Sequence, residues 1–138
     1  MVVFQAGGER FAVALEAVRE VVVPQPPFAR VPRAGPAVRG AMNLRGRVVA
    51  VVALAPLVDL APDALAPAAG HVLVLDRGRR ALGLLVASVL GVDEVESPAP
   101  GEAGAVVRGV ADAKGGAVTV LDADALEARA ASQFGGTA

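Results

Sequence analysis

Side chains able to act as acid, base or nucleophile are few and scattered in this sequence. His71 is the only histidine, cysteine is absent, and the serines stand at positions 88, 97 and 132. None of these serines lies in the Gly-x-Ser-x-Gly turn that exposes a nucleophile between strand and helix. His71 has no serine or cysteine pattern to serve as a base, and it reads as a structural or partly exposed histidine. Without thiols there is no disulfide framework and no thiolate metal site. Asp93, Glu94 and Glu96 form an acidic cluster, but alternation along a strand splits such side chains between two faces, so a solvated edge is expected rather than a cation site. The glycines fall as hairpin residues, and no Gly-x-x-x-x-Gly-Lys or Gly-x-Gly-x-x-Gly leads from a strand into a helix. The sequence thus argues against an enzyme, and no cofactor or metal is expected.

Charge narrows the classes further. Thirteen basic and fourteen acidic residues are mixed along the chain, giving a net charge of −1. The basic field that drives nucleic-acid affinity is missing, so no nucleic-acid partner is expected. The longest apolar stretch, Val48 to Val58 with Pro56 inside it, is about half of the roughly 20 residues that span a bilayer. No basic n-region and apolar h-region follow Met1. A cytoplasmic protein without direct membrane insertion is the expectation. Its 138 residues fit one domain, 1–138, which buries roughly two-thirds of the surface exposed by its unfolded chain. Hydrophobic residues make up 54% with mean hydropathy +0.56, carried by Ala and Val rather than aromatics. Many strands must therefore be covered on both faces.

The elements follow from turn residues and β-prone runs. Val2 to Gln5 and Arg10 to Ala14 flank Gly7-Gly8 as a hairpin. Leu15 to Val18 has room for one helical turn before the β-branched run Val21 to Val23, which Pro24 stops. Pro24 to Pro36 holds five prolines and reads as a surface loop. Gly40 to Leu44 and Arg47 to Leu54 flank Arg45-Gly46 as a second hairpin. Its second strand is apolar at nearly every residue, as expected of a strand buried on both sides. Pro56 starts a short helix to Leu60, and Ala61 to Gly70 is a linker. The second half runs Val72 to Leu75, a turn at Arg77-Gly78, Ala81 to Val86, a strand near Val89 to Glu96, and a Pro98–Pro100 loop. A hairpin then turns at Lys114-Gly115-Gly116, and Asp122 caps a final helix over about 122–131.

The layout repeats. At an offset of 70, Gly8, Arg10 and Leu15 fall on Gly78, Arg80 and Leu85; at 69, Arg39-Gly40 fall on Arg108-Gly109, Gly46 on Gly115, Val49 on Val118 and Leu57 on Leu126. Duplication explains the ordered turns. The expected fold is all-β, two five-stranded barrels sharing one core, barrel one mainly from 1–60 and barrel two mainly from 70–126.

The run Val38-Arg39-Gly40-Ala41-Met42-Asn43-Leu44-Arg45-Gly46-Arg47-Val48-Val49-Ala50-Val51-Val52 closely resembles the central motif of CheW-like domains, the coupling proteins of bacterial chemotaxis. Gly8 to Val13, Val18 to Val21, Gly83 to Val86, Val89 to Val92 and Val120 to Asp122 extend the resemblance over nearly the whole chain. It implies two intertwined five-stranded SH3-like barrels with short connecting helices. It also implies a non-catalytic adaptor joining the cytoplasmic tip of chemoreceptors to the regulatory domain of a CheA-type histidine kinase. Within the same fold, the alternative is a diverged adaptor that keeps one partner; a small-ligand barrel or an enzyme is the reading from another class.

Residue by residue, the resemblance implies an acid–arginine pair, Glu20 and Arg45, beside a receptor-binding groove lined by Val18 and Val21. The motif residues Arg39, Gly40, Asn43, Leu44 and Gly46, with Val72, complete the expected partner-binding set. Plainer roles stand beside this one: Asn43 and Gly46 suit a tight turn, Arg45 before a hairpin glycine can be simply solvated, and Val18 and Val21 suit a core. The chain departs from the family pattern at Ala53 and at Val86-Ala87, where acids are usual. Ala53 leaves the following helix without a capping side chain, a loss of about 1 kcal/mol. Restoring an acid there is expected to strengthen kinase binding.

Overall fold

The computed structural model describes residues 1–66, 68–75, 81–99 and 102–134. Ten strands are found among them: β1 (Val2–Ala6), β2 (Glu9–Val13), β3 (Val18–Val22), β4 (Val38–Leu44), β5 (Arg47–Ala53), β6 (His71–Leu75), β7 (Leu82–Val86), β8 (Ser88–Val92), β9 (Val107–Ala113) and β10 (Gly116–Leu121). A single 3-10 turn, Leu15–Ala17, separates β2 from β3, and helices α1 (Leu54–Leu57) and α2 (Ala123–Ala131) follow β5 and β10. β3 begins at Val18, earlier than the β-branched run suggests, and β8 stops at Val92, short of Glu96. The expected turn at Arg77-Gly78 lies outside the described residues.

Two five-stranded sheets result, in the orders β8-β1-β2-β10-β9 and β3-β6-β7-β5-β4. Exchanging each strand of one half for its counterpart in the other, β1 for β6 through β5 for β10, turns the first order into the second. The repeat thus extends to the topology, each half supplying three strands of one sheet and two of the other. The hairpin β1–β2 joins β8, β9 and β10, while β6–β7 joins β3, β4 and β5. Residues 1–60 and 70–126 each contribute to both sheets. The halves meet through the parallel pairs β2–β10 and β5–β7 and the antiparallel pairs β1–β8 and β3–β6, whose members are not consecutive in the chain. Parallel neighbours cannot be joined by a tight turn, so they unite segments distant in sequence. Turn signals reveal only neighbours that are consecutive in the chain.

Most matched elements begin 69 apart, at 2 and 71, 38 and 107, 47 and 116, and 54 and 123. β2 and β7, starting at 9 and 82, do not, because the β6–β7 connection is longer. The match of Leu15 with Leu85 therefore fails, one lying in the 3-10 turn and the other in β7.

Burial on both faces of single strands has a direct cause. In β6, Leu73 and Leu75 face a shared core between the sheets, whereas Val72 and Val74 face a second cluster with Met42, Leu44, Val49 and Val51. In β1, Val2, Phe4 and Ala6 enter the shared core, and Val3 enters a third cluster with Ala12, Val118 and Val120. Each sheet thus has its own apolar interior as well as a face on the common core, which agrees with two SH3-like barrels. Phe4 stacks on Phe11 at 5.9 Å between ring centroids, and Leu54 and Leu126 carry both helices into the same core. Burying a side chain of this size stabilises the fold by about 1.5–3 kcal/mol. Arg129 of α2 donates to the Leu57 carbonyl at 2.9 Å, tying the helices' ends together.

Asp122 stands at the N-cap of α2 as the sequence predicts, and Ala53 holds the same place before α1. Neither makes a side-chain capping bond. The acid at this position in the second half therefore does not act as a cap. Pro56 is the third residue of α1 rather than its first, still in the turn where a missing N–H breaks no intrahelical bond.

Candidate functional site

β3 and β4 are the edges of the second sheet, and the site forms where β3 meets the β4–β5 turn. The pairing of β3 with β6 skips Arg19: Val18 lies opposite Leu75, and Glu20 opposite Val74. This bulge resets the alternation, so Val18 and Val21 share one face while Glu20 and Val22 share the other. Val18 packs on the shared core, and Val21, 40% exposed, stands at its margin.

Across from Glu20, Leu44 pairs with Arg47 and leaves a two-residue turn, Arg45-Gly46. Its φ angles, 50° and 85°, are both positive, as in the type I′ turn that matches the twist of a hairpin. Left-handed backbone costs a non-glycine residue about 1–2 kcal/mol. The Asn43 Oδ1 offsets this by accepting a hydrogen bond from the Gly46 N–H at 2.8 Å.

From this turn one Arg45 nitrogen, Nη2, donates to both carboxylate oxygens of Glu20, at 2.5 and 2.7 Å. The Arg45 side chain is 68% exposed and that of Glu20 27%. This hydrogen bond is the main cause holding the Glu20 carboxyl below its usual range, reinforced by the charges of Arg45, Arg19 and Arg47. Arg45 is shifted upward in turn. The pair clasps an edge strand to the opposite hairpin and keeps a guanidinium displayed at the surface.

The other expected site residues divide by burial. Arg39 and Asn43 are exposed on β4, and Gly46 is open to solvent. Arg39 is the extra residue of a bulge, since Val38 pairs with Val52 and Gly40 with Val51. Gly40, Leu44 and Val72 are buried. Val72, at 0% exposure, belongs to the interior of the second sheet. In the free chain these three residues support the surface from beneath. Their burial follows from the inward side of strands whose both faces are covered.

Two features were missed by sequence reasoning. Val48, paired with Asn43 beside the turn, is 71% exposed and adds apolar surface there. The first sheet also has its own clasp: Asp93, just past β8, accepts a hydrogen bond from the Lys114 N–H at 2.9 Å in the β9–β10 turn. The 69-residue offset that carries Arg45-Gly46 onto Lys114-Gly115 was the available signal. Asp93 also accepts from the Glu94 N–H, and Glu94 and Glu96 beside it are exposed, as expected of a solvated edge.

Among the described residues, one open depression of about 820 Å³ is lined by Met1, Val92, Asp93, Glu94, Val95 and Glu96. Among the described residues no cluster of His, Cys, Asp and Glu suits a metal ion, and no helix is long and apolar enough to cross a membrane. His71 opens β6, half-buried.

Fold and site together define an all-β, double-sheet domain whose distinctive surface is a charged hairpin turn clasped to an edge strand. The chain belongs to the CheW-like domain family, whose model matches residues 1–130. It is 32% identical over 105 residues to a probable chemotaxis protein CheW of Rhizobium etli, a match covering 72% of this chain and 66% of that relative. The crystal structure of the scaffolding protein TtCheW from Thermoanaerobacter tengcongensis has the same fold, with a TM-score of 0.68 at 23% identity over 88% of this chain and 86% of that one.

Proposed function

We propose that this chain is a non-catalytic cytoplasmic adaptor of chemotaxis-type signalling, which couples the cytoplasmic tip of a chemoreceptor to the regulatory domain of a CheA-type histidine kinase. The observation that carries the reading is the Glu20–Arg45 clasp in a chain of the CheW-like family. It holds a cation at the surface with exposed Val21 and Val48 nearby. Apolar area rimmed by charge suits a protein partner, whereas a small-ligand site needs an enclosed pocket with convergent polar groups.

The test is a pair of titrations, of a receptor-tip fragment and of the kinase regulatory domain, against the native chain and Arg45→Glu. Reversing an exposed charge alters electrostatic complementarity without removing core contacts. Arg45→Glu should therefore weaken receptor binding in a chain that still folds, and adding Glu20→Arg should restore part of the loss. Binding of neither fragment by the native chain would overturn the reading. Kinase binding alone, or receptor binding alone, would identify an adaptor with one partner.

A further inference from the structure

We infer that Asn43 is a positioning residue: by fixing the β4–β5 turn it aims Arg45 at Glu20, and so sets the geometry of the surface proposed to receive the receptor. The consequence for binding rests on that proposal; the effect on the clasp does not.

Asn43 is exposed, yet its Oδ1 is committed to the Gly46 N–H. That bond spans the turn containing Arg45, whose φ of 50° requires local support in a residue other than glycine. The sign of φ decides where the side chain leaves the turn, so support for the left-handed backbone is support for the direction of the guanidinium.

The second half supplies an internal comparison. Asp112-Ala113-Lys114-Gly115 occupies the place of Asn43-Leu44-Arg45-Gly46, with an acceptor, a cation and a glycine at the same spacing. There Gly115 has φ 88°, but Lys114 is not left-handed. Its backbone N–H, rather than its side chain, meets Asp93 just past the edge strand β8. Similar residues thus make two kinds of clasp. The side-chain clasp occurs in the turn whose cation is left-handed and which Asn43 bridges.

The experiment uses Asn43→Ala, Asn43→Asp, Arg45→Ala and the double variant Asn43→Ala/Arg45→Ala. Two quantities are read: the titration of the Glu20 carboxyl by NMR, and the affinity for a receptor-tip fragment. Asn43→Ala should move the Glu20 midpoint up toward the ordinary carboxylate range and weaken binding about five-fold. Asn43→Asp, which retains the acceptor, should preserve both. Asn43→Ala should cost no further affinity once Arg45 is gone. An unmoved Glu20 midpoint in Asn43→Ala, failure of Asn43→Asp to preserve it, or additive losses in the double variant would overturn the inference. If Glu20 shifts but neither single alanine variant alters affinity, Asn43 is upheld as the residue that positions Arg45, and the receptor reading falls.

Discussion

Replacing Gly40 by alanine isolates the packing beneath the site from the surface above it. Gly40 has φ 136°, and an added Cβ would lie 2.6 Å from the Ala29 carbonyl oxygen and 2.7 Å from the Phe28 Cβ. The first of these is backbone held by the Ala29–Ala41 bridge, whose two hydrogen bonds are each 2.8 Å. The second belongs to a side chain packed on the interior of the second sheet. Neither neighbour can yield as the tip of a flexible side chain would. Backbone strain costs about 1–3 kcal/mol and forced overpacking about the same again, so Gly40→Ala should destabilise the domain by about 3 kcal/mol or more. At roughly 3–4 °C per kcal/mol for a domain of this size, the melting temperature falls by about 10 °C. Gly46→Ala is the control: its φ of 85° is strained, but a Cβ there has open space around it, and a loss of about 1 kcal/mol is expected. Urea denaturation of both variants gives the comparison. Equal losses, or a loss below about 1 kcal/mol for Gly40→Ala, would refute the argument that close approach of the Phe28–Ala29 segment requires glycine.

Val72→Ala removes buried volume from the second interior and should cost about 2 kcal/mol in urea denaturation, while partner affinity measured well below the melting temperature stays near native. Because the folded-state pKa of Glu20 is lowered, its stabilising contribution is complete above the ordinary carboxylate range and disappears as pH falls through the depressed value. Glu20→Gln should therefore melt at more nearly the same temperature as the native chain in strong acid than at pH 7, as thermal scans at the two pH values will show. Ala53 is 6% exposed, and the acid at the equivalent helix start makes no capping bond. Ala53→Asp should thus destabilise by about 1–3 kcal/mol through an unpaired buried carboxylate, contrary to the gain in kinase binding expected from the sequence; denaturation together with a kinase-domain titration decides.

What the sequence by itself determined was local. Period, β-branched runs and turn residues identified an all-β chain of two similar halves, the Arg45-Gly46 hairpin, the double-faced burial of β5 and the start of α2. Each of these is decided by neighbours within a few positions: a two-residue loop demands residues that accept positive φ, and a strand covered on both sides cannot alternate. The pairing of Glu20 with Arg45, 25 residues apart, came only from resemblance to a family, since nothing in either residue's own segment names its partner. Only the tertiary structure decided the exchange of the first hairpins between the sheets, because parallel pairs such as β2–β10 leave no turn signal. It likewise decided that Val72 is interior and Val48 exposed. An apolar residue on a strand has two faces to occupy, and a bulge such as those at Arg19 and Arg39 shifts every later side chain to the other one. Register is fixed by the partner strand and its contacts across the core, which a single segment does not contain.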